Sequence, residues 1–430
     1  MIKKQKKRFP RMLLTTALAM VMCLEVTASA FAAGELTGSE TTPARASITK
    51  MLRMPEGTTT PNANFTFTFE KKSYMGESTA AALGQMPDIT PVAVTFSNAD
   101  TGTTDSQTGI KSVPKEGAVT PTFTSTGIYT YDITEDADTY TIVDATKETM
   151  NYSQAKYEIS YFVKEKSDHS GFYVETIVTK ILINDDGTAG SGDKINPNPG
   201  GPTGSGSYSG LIFYNAYTKN NGGVDPTIPA NQVLAISKVV AGDFADQTKY
   251  FSYDVSITKP AVLTSEVTYK AYVVDSTGVV TGAANVASGV NILTDGNGKD
   301  YFEVTTGGTN VINLKHNQTL VFNDLEVGAK YVAEEQGAVG YTPKVRITDN
   351  DDVISPDLTA NEGQNLSTGS LLIGEKKNAA DFTNTFQSIT PTGVVINNLP
   401  FIMILIMAVG AFTAFVVVKS RRRRIYGSRH

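Results

Sequence analysis

The chain has 430 residues, a formal charge of −6 at pH 7, one cysteine and no tryptophan. Six lysines and arginines and one glutamate lie in the first 32 residues, and six more basic residues lie after position 392, so the stretch between carries −17. Such acidity argues against nucleic acid as a partner, since phosphates require lysine and arginine, and with Cys23 near the N-terminus the rest of the chain can form no disulfide or thiolate metal site.

The first eight residues, Met1 to Arg8, are strongly cationic, and an apolar run from about Met12 to Leu24 follows. Small residues then offer Ala-x-Ala cleavage after Ala30 or Ala32, so residues 1–32 are read as a secretory signal peptide. The apolar core is too short to span a bilayer comfortably. A lipoprotein signal at Cys23 is excluded because Met22, not a small residue, precedes it.

From residue 33 onward the pattern predicts strands throughout. Asn64–Phe69, Gly127–Ile133 and Tyr157–Val163 alternate apolar with polar residues, as do Lys249–Ile257 and Val267–Val274. Period-two alternation gives strands with one buried face, and many short strands between Gly, Asn and Asp turns predict all-β sandwiches. The stretch 187–210 is rich in Gly, Pro and Ser. Leu211–Tyr217, directly after it, nevertheless matches Asp381–Phe386 near the end of the chain, both reading Phe-x-Asn-x-aromatic. Each is therefore a closing strand, which makes 187–210 a loop inside a first domain, 33–218. Residues 219–230 are then the linker to a second domain, 231–387.

Two more elements recur in the same order in each half. Ser47–Leu52 and Leu234–Val240 open the halves; Gly127–Glu135 and Gly328–Glu335 come before the closing strands. Because side chains on a strand alternate faces, Lys50 falls with Ile48 and Leu52, and Lys238 with Leu234, Ile236 and Val240. Glu135 falls with Tyr129, Tyr131 and Ile133; Glu335, rather than Glu334, falls with Tyr331 and Ala333. Asn215 falls with Leu211, Phe213 and Tyr217, and Asn384 with Phe382 and Phe386. Each half thus directs one Lys, one Glu and one Asn inward. Burying them unpaired would cost several kcal/mol. A desolvated lysine, however, is a nucleophilic amine. Attack on the asparagine carbonyl would expel ammonia and leave a neutral amide, with a glutamic acid in an apolar pocket shuttling protons.

This constellation resembles the isopeptide-forming domains of streptococcal-type major pilins and related wall-anchored modules. The resemblance implies two tandem Ig-like (Cna-B/pilin-type) sandwiches. It pairs Lys50 with Asn215 through Glu135, and Lys238 with Asn384 through Glu335. The long loop before Leu211 and the Glu334–Glu335 doublet are departures from the family pattern.

At the C-terminal end, an apolar span from Val394 to Val418 is long enough to cross a bilayer, and a basic tail, 419–430, orients it with the tail inside. Thr390-Pro391-Thr392-Gly393 sits just before the span. Together these segments, 388–430, resemble a sortase sorting signal, which implies cleavage between Thr392 and Gly393 and transfer of Thr392 to an amine. Thr390 stands where Leu or Val is expected.

The expected function is a secreted structural surface protein, a pilus shaft subunit, with sortase and other pilin subunits or peptidoglycan as partners and the membrane only before sorting. Lys219 is a candidate acceptor amine. The alternative is a wall-anchored adhesin that is not polymerised, although no segment nominates a host ligand. An enzyme ranks last: His169 and His316 are far apart, and there is no Gly-x-Ser-x-Gly. The acidic stretch Asp349–Asp352 lacks EF-hand spacing, and no cofactor is called for.

Overall fold

The computed structural model describes residues 35–200, 208–386 and 392–426. The signal peptide 1–32, and Thr390 and Pro391 of the sorting motif, lie outside the described residues. The chain folds into two units: one holds the residues up to Met54 and Thr59–Thr218, the other Pro55–Thr58 and the residues from Lys219.

In the first unit, strand Ala63–Tyr74 shows how the sequence makes a sheet. Ala63, Phe65 and Phe67 turn into the core while Asn64, Thr66 and Thr68 turn away, and the β-branched threonines suit the pleat. One sheet runs in the order Glu35–Thr37, Phe172–Ile183, Lys156–Glu165, Gly127–Glu135, Ala63–Tyr74, Val92–Phe96, with Lys194–Ile195 on its Phe172–Ile183 strand. The facing sheet runs Thr103–Thr104, Ile110–Val119, Ala46–Pro55, Ile212–Lys219, Glu148–Asn151. Aromatic rings close the sandwich: Phe213 of the second sheet packs on Phe67 and Tyr157 of the first, with ring centroids 4.8 and 5.1 Å apart.

The opening strand, Ala46–Pro55, and the closing strand, Ile212–Lys219, are neighbours and run parallel. In their register Lys50 stands opposite Phe213 and Leu52 opposite Asn215. The Gly/Pro-rich stretch before the closing strand is bound into this unit. Lys194–Ile195 pairs with Thr179 and Lys180, Ser209 Oγ donates to the Ser47 carbonyl at 2.5 Å, and Thr49 Oγ1 donates to the Ser209 carbonyl at 2.9 Å.

The second unit repeats the plan. Its larger sheet runs Leu293–Thr294, Asp300–Thr305, Thr268–Asp275, Gln318–Phe322, Leu234–Ala241, Asn378–Phe386, Tyr341–Asp349, Asp352–Thr359. The facing sheet runs Thr309–Leu314, Phe251–Thr258, Lys330–Glu335, Leu366–Ser367. Opening strand Leu234–Ala241 and closing strand Asn378–Phe386 are again parallel neighbours, with Lys238 opposite Phe382 and Val240 opposite Asn384. Residues of the 219–230 stretch bond to this unit: Val327 donates its N–H to the Lys219 carbonyl at 2.9 Å, and Asn323 Nδ2 donates to the Gly223 carbonyl at 2.6 Å.

After the closing strand Asn378–Phe386 in the sequence comes the helix Thr392–Tyr426, whose segment Pro400–Arg421 is long and apolar enough to cross a membrane and is exposed along its length. The apolar side chains there find no core to enter, unlike those of the strands.

Candidate functional site

In the first unit, the opening and closing strands bring Lys50 and Asn215 to the inner face of one sheet, two residues out of register. Glu135, the last residue of its strand, reaches them from the opposite sheet. Its Oε2 accepts from Lys50 Nζ at 2.7 Å and its Oε1 from Asn215 Nδ2 at 2.7 Å. The side chains of Lys50 and Glu135 are 0% exposed. Phe65 and Phe67 floor the pocket, with Lys50 Nζ 4.8 and 5.9 Å from their ring centroids.

The second unit has the same arrangement. Lys238 Nζ and Asn384 Nδ2 both bond to Glu335 Oε1, the latter at 2.7 Å. The Lys238 and Glu335 side chains are 0% and 1% exposed. Phe251 and Tyr253 lie 4.1 and 5.9 Å from Lys238 Nζ. In both units the second aromatic of the pair stands directly across the ladder from the glutamate: Phe67 opposite Glu135, and Tyr253 opposite Glu335.

Burial dominates the electrostatics. It pulls the ammonium pKa of Lys50 and of Lys238 down to about 8, although the neighbouring carboxylate favours the cation. It pushes Glu135 and Glu335 up, against the attraction of the lysine and the hydrogen bond from asparagine. Both shifts disfavour the charged forms, so the apolar pocket favours passage of the lysine proton to the glutamate. Transfer of that proton would leave a free amine, a carboxylic acid and a primary amide in contact, the components of a transamidation.

Among the other residues singled out in the sequence, Glu334 points away from its pocket and accepts from Asn365 Nδ2 at 2.8 Å. Lys219 ends the first closing strand; its side chain is 17% exposed and its amine pairs with Glu375 at 2.6 Å. Thr392 and Gly393 open the C-terminal helix. His169 is exposed beside Glu165, and His316 accepts the Val240 N–H through Nδ1 at 3.0 Å. The Asp349–Asp352 stretch forms the turn of a hairpin. Among the described residues no group of three or more His, Cys, Asp or Glu side chains could hold a metal.

Sequence reasoning missed the aromatic floors, whose signal was a repeated Phe-x-aromatic in the strand after each opening strand. It also missed Ser153 and Asp185, which border the first pocket. The Ser153 N–H donates to Asn215 Oδ1 at 2.8 Å, and Ser153 Oγ donates to Asp185 Oδ1.

A family model described as a domain of unknown function (DUF7601) matches residues 232–386. No curated protein matches the chain. The solved structures that resemble it include pilins and a pilus-presented adhesin. The Streptococcus pyogenes major pilin T3.2 (serotype GAS13637) is 17% identical, over 83% of this chain and 100% of that one, with a TM-score of 0.29. Another S. pyogenes major pilin is 17% identical over 79% of this chain and 98% of that one, with a TM-score of 0.30. A pilus-presented adhesin, Spy0125 (Cpa), is 15% identical over 54% of this chain and 37% of that one, with a TM-score of 0.23. At such scores the likeness carries no argument, and the functional case rests on the two buried constellations.

Proposed function

We propose that the chain is a structural surface protein, a pilus shaft subunit, whose two sandwiches each close an amide crosslink: Lys50 to Asn215 with Glu135, and Lys238 to Asn384 with Glu335. The observation that carries this is one buried carboxylate in contact with both a lysine amine and an asparagine amide nitrogen, found twice. The lysine gives its proton to the glutamate, and the freed Nζ lone pair attacks the asparagine Cγ. The tetrahedral adduct collapses by breaking the Cγ–Nδ2 bond. The glutamic acid protonates the departing nitrogen and recovers a proton from the attacking one, so that ammonia leaves and a neutral secondary amide remains. The reaction runs once per unit and removes the burden of a buried ion pair.

Surface assembly follows from the C-terminal segment. The helix holds the chain in the membrane until a sortase cleaves after Thr392 and passes its carbonyl to an amine on a neighbouring subunit or on peptidoglycan. Domain limits of 33–218 and 231–387 place one crosslink in each sandwich.

The test is the intact mass of residues 33–388 beside Glu135→Ala, Glu335→Ala and the double variant. The expected result is a deficit of two ammonia molecules, falling to one in each single variant and to none in the double. Full unmodified mass in the folded protein refutes the crosslinks. Immunoblots of wall extracts test assembly: a high-mass ladder that disappears with Thr392→Ala marks a polymer, whereas a single band marks an adhesin or other protein anchored alone.

A further inference from the structure

We infer that the backbone N–H of Ser153 stabilises the oxyanion that forms on Asn215 during crosslinking of the first unit, and that Asp185 is the positioning residue that clamps this donor. The inference rests on the crosslinking reading and adds to it a part that the two units do not share.

The Ser153 N–H donates to Asn215 Oδ1 at 2.8 Å, with both residues buried. Since Asn215 Nδ2 is held by Glu135 Oε1 at 2.7 Å, the amide has one stable orientation. Turning it over would set its NH2 group against an N–H and its oxygen against the carboxylate. When Lys50 Nζ adds to Cγ, the C=O π pair moves onto Oδ1, and the donor already points there. On collapse that pair reforms the carbonyl as ammonia departs, so Ser153 gives and takes no proton. A fixed donor at a developing charge needs no reorganisation in the transition state.

The donor is fixed by neighbours that take no part in the reaction. Ser153 Oγ donates to Asp185 Oδ1 and accepts the Ala155 N–H at 3.1 Å. The same Asp185 oxygen accepts the N–H of Tyr214 at 3.1 Å, and the Asp185 carbonyl accepts the Gln154 N–H at 3.1 Å. Tyr214 is the residue before Asn215, so Asp185 ties the donor segment to the strand that carries the electrophile. The second unit is built otherwise. Among the described residues Asn384 Oδ1 has no hydrogen-bond partner.

The experiment follows both crosslinks in the full chain, synthesised in a cell-free extract with detergent micelles and quenched in denaturant at intervals. Mass spectrometry of digests gives the ratio of crosslinked to linear peptide at Lys50–Asn215 and at Lys238–Asn384, each unit timing the other. Ser153→Ala and Asp185→Ala are expected to slow the first crosslink on the order of tenfold, short of the 10²–10³ that loss of a whole oxyanion donor costs, and to leave the second unchanged. Ser153→Thr, which keeps the hydroxyl and the N–H, is expected to retain the wild-type rate. If Asp185→Ala proves protease-sensitive, the Ala and Thr variants of Ser153 decide. An unchanged first-unit rate in Ser153→Ala, or a Ser153→Thr variant as slow as Ser153→Ala, overturns the inference while the crosslinking reading stands. A wild-type chain without crosslinked peptide in either unit overturns the reading beneath it.

Discussion

Replacing Lys50 by methionine would remove the proposed first crosslink without leaving a buried cation. The amide would close a loop of 165 residues, from position 50 to 215. By the chain-entropy relation used for disulfides, that restriction of the unfolded state is worth about 5 kcal/mol. No ion pair enters the balance, because a crosslinked wild type holds a neutral amide where the lysine ammonium stood. Glu135 needs no cation, since burial already pushes its carboxyl towards the neutral acid, and it keeps the bond from Asn215. In a unit of this size a change of 1 kcal/mol moves the melting temperature by roughly 2–4 °C, so the first unit should melt about 10–20 °C lower in Lys50→Met. Scanning calorimetry of the wild type, Lys50→Met and Lys238→Met assigns each transition, because each variant moves only its own. If mass spectrometry finds the wild-type amide formed and Lys50→Met nevertheless melts within about 3 °C of it, the entropic argument is wrong.

Glu334→Gln should leave the second crosslink complete by intact mass, since that side chain faces outward to Asn365; loss of ammonia release would reassign the acid. Asn384→Ala leaves Lys238 uncrosslinked, with its pKa lowered by burial to about 8 from 10.5. Between those values the unfolded chain binds more protons than the folded one, so stability in urea melts should rise with pH from about 8 to 10.5, then level off. A wild type crosslinked as proposed would have no such amine and should lack that rise. Lys219→Ala should abolish a wall-extract ladder if this amine, released from Glu375, accepts Thr392; a persisting ladder places the acceptor on another lysine.

Period two made much of this protein legible. Once Phe65 and Phe67, or Tyr129 and Tyr131, are taken as core, every second residue along the strand is assigned a face, and Lys50 and Glu135 stand out as charges on apolar faces. What alternation cannot reveal is which strands become neighbours. That Glu135 reaches Lys50 from the opposite sheet, while Asn215 lies beside it, depends on the parallel pairing of the opening and closing strands. Ser153 and Asp185 were hidden for a different reason. Both sit where the chain turns and has no period, and the group of Ser153 that meets Asn215 is its backbone N–H, which any residue but proline would supply. Residues 219–230 read as a linker because they lie between the first closing strand, Leu211–Tyr217, and the second opening strand, Leu234–Val240. Several of those side chains and carbonyls instead bond to neighbours in the second unit, as Asn221 Nδ2 does to the Glu375 carbonyl.

The parallel pairing of first and last strands also decides what a pull on the chain would strain. Parallel neighbours carry the backbone into one end of the strand pair and out at the other, so the line of tension runs straight through without reversing. With the amides formed, that line enters at Ala46, crosses from Lys50 to Asn215 and leaves at Lys219; in the second unit it enters at Leu234, crosses from Lys238 to Asn384 and leaves at Phe386. The remainder of each sandwich hangs beside the load. In the first unit the sheltered segment would otherwise yield roughly 550 Å of extended chain. A fibre of such subunits would behave under flow as a cord of nearly fixed length, not as a spring.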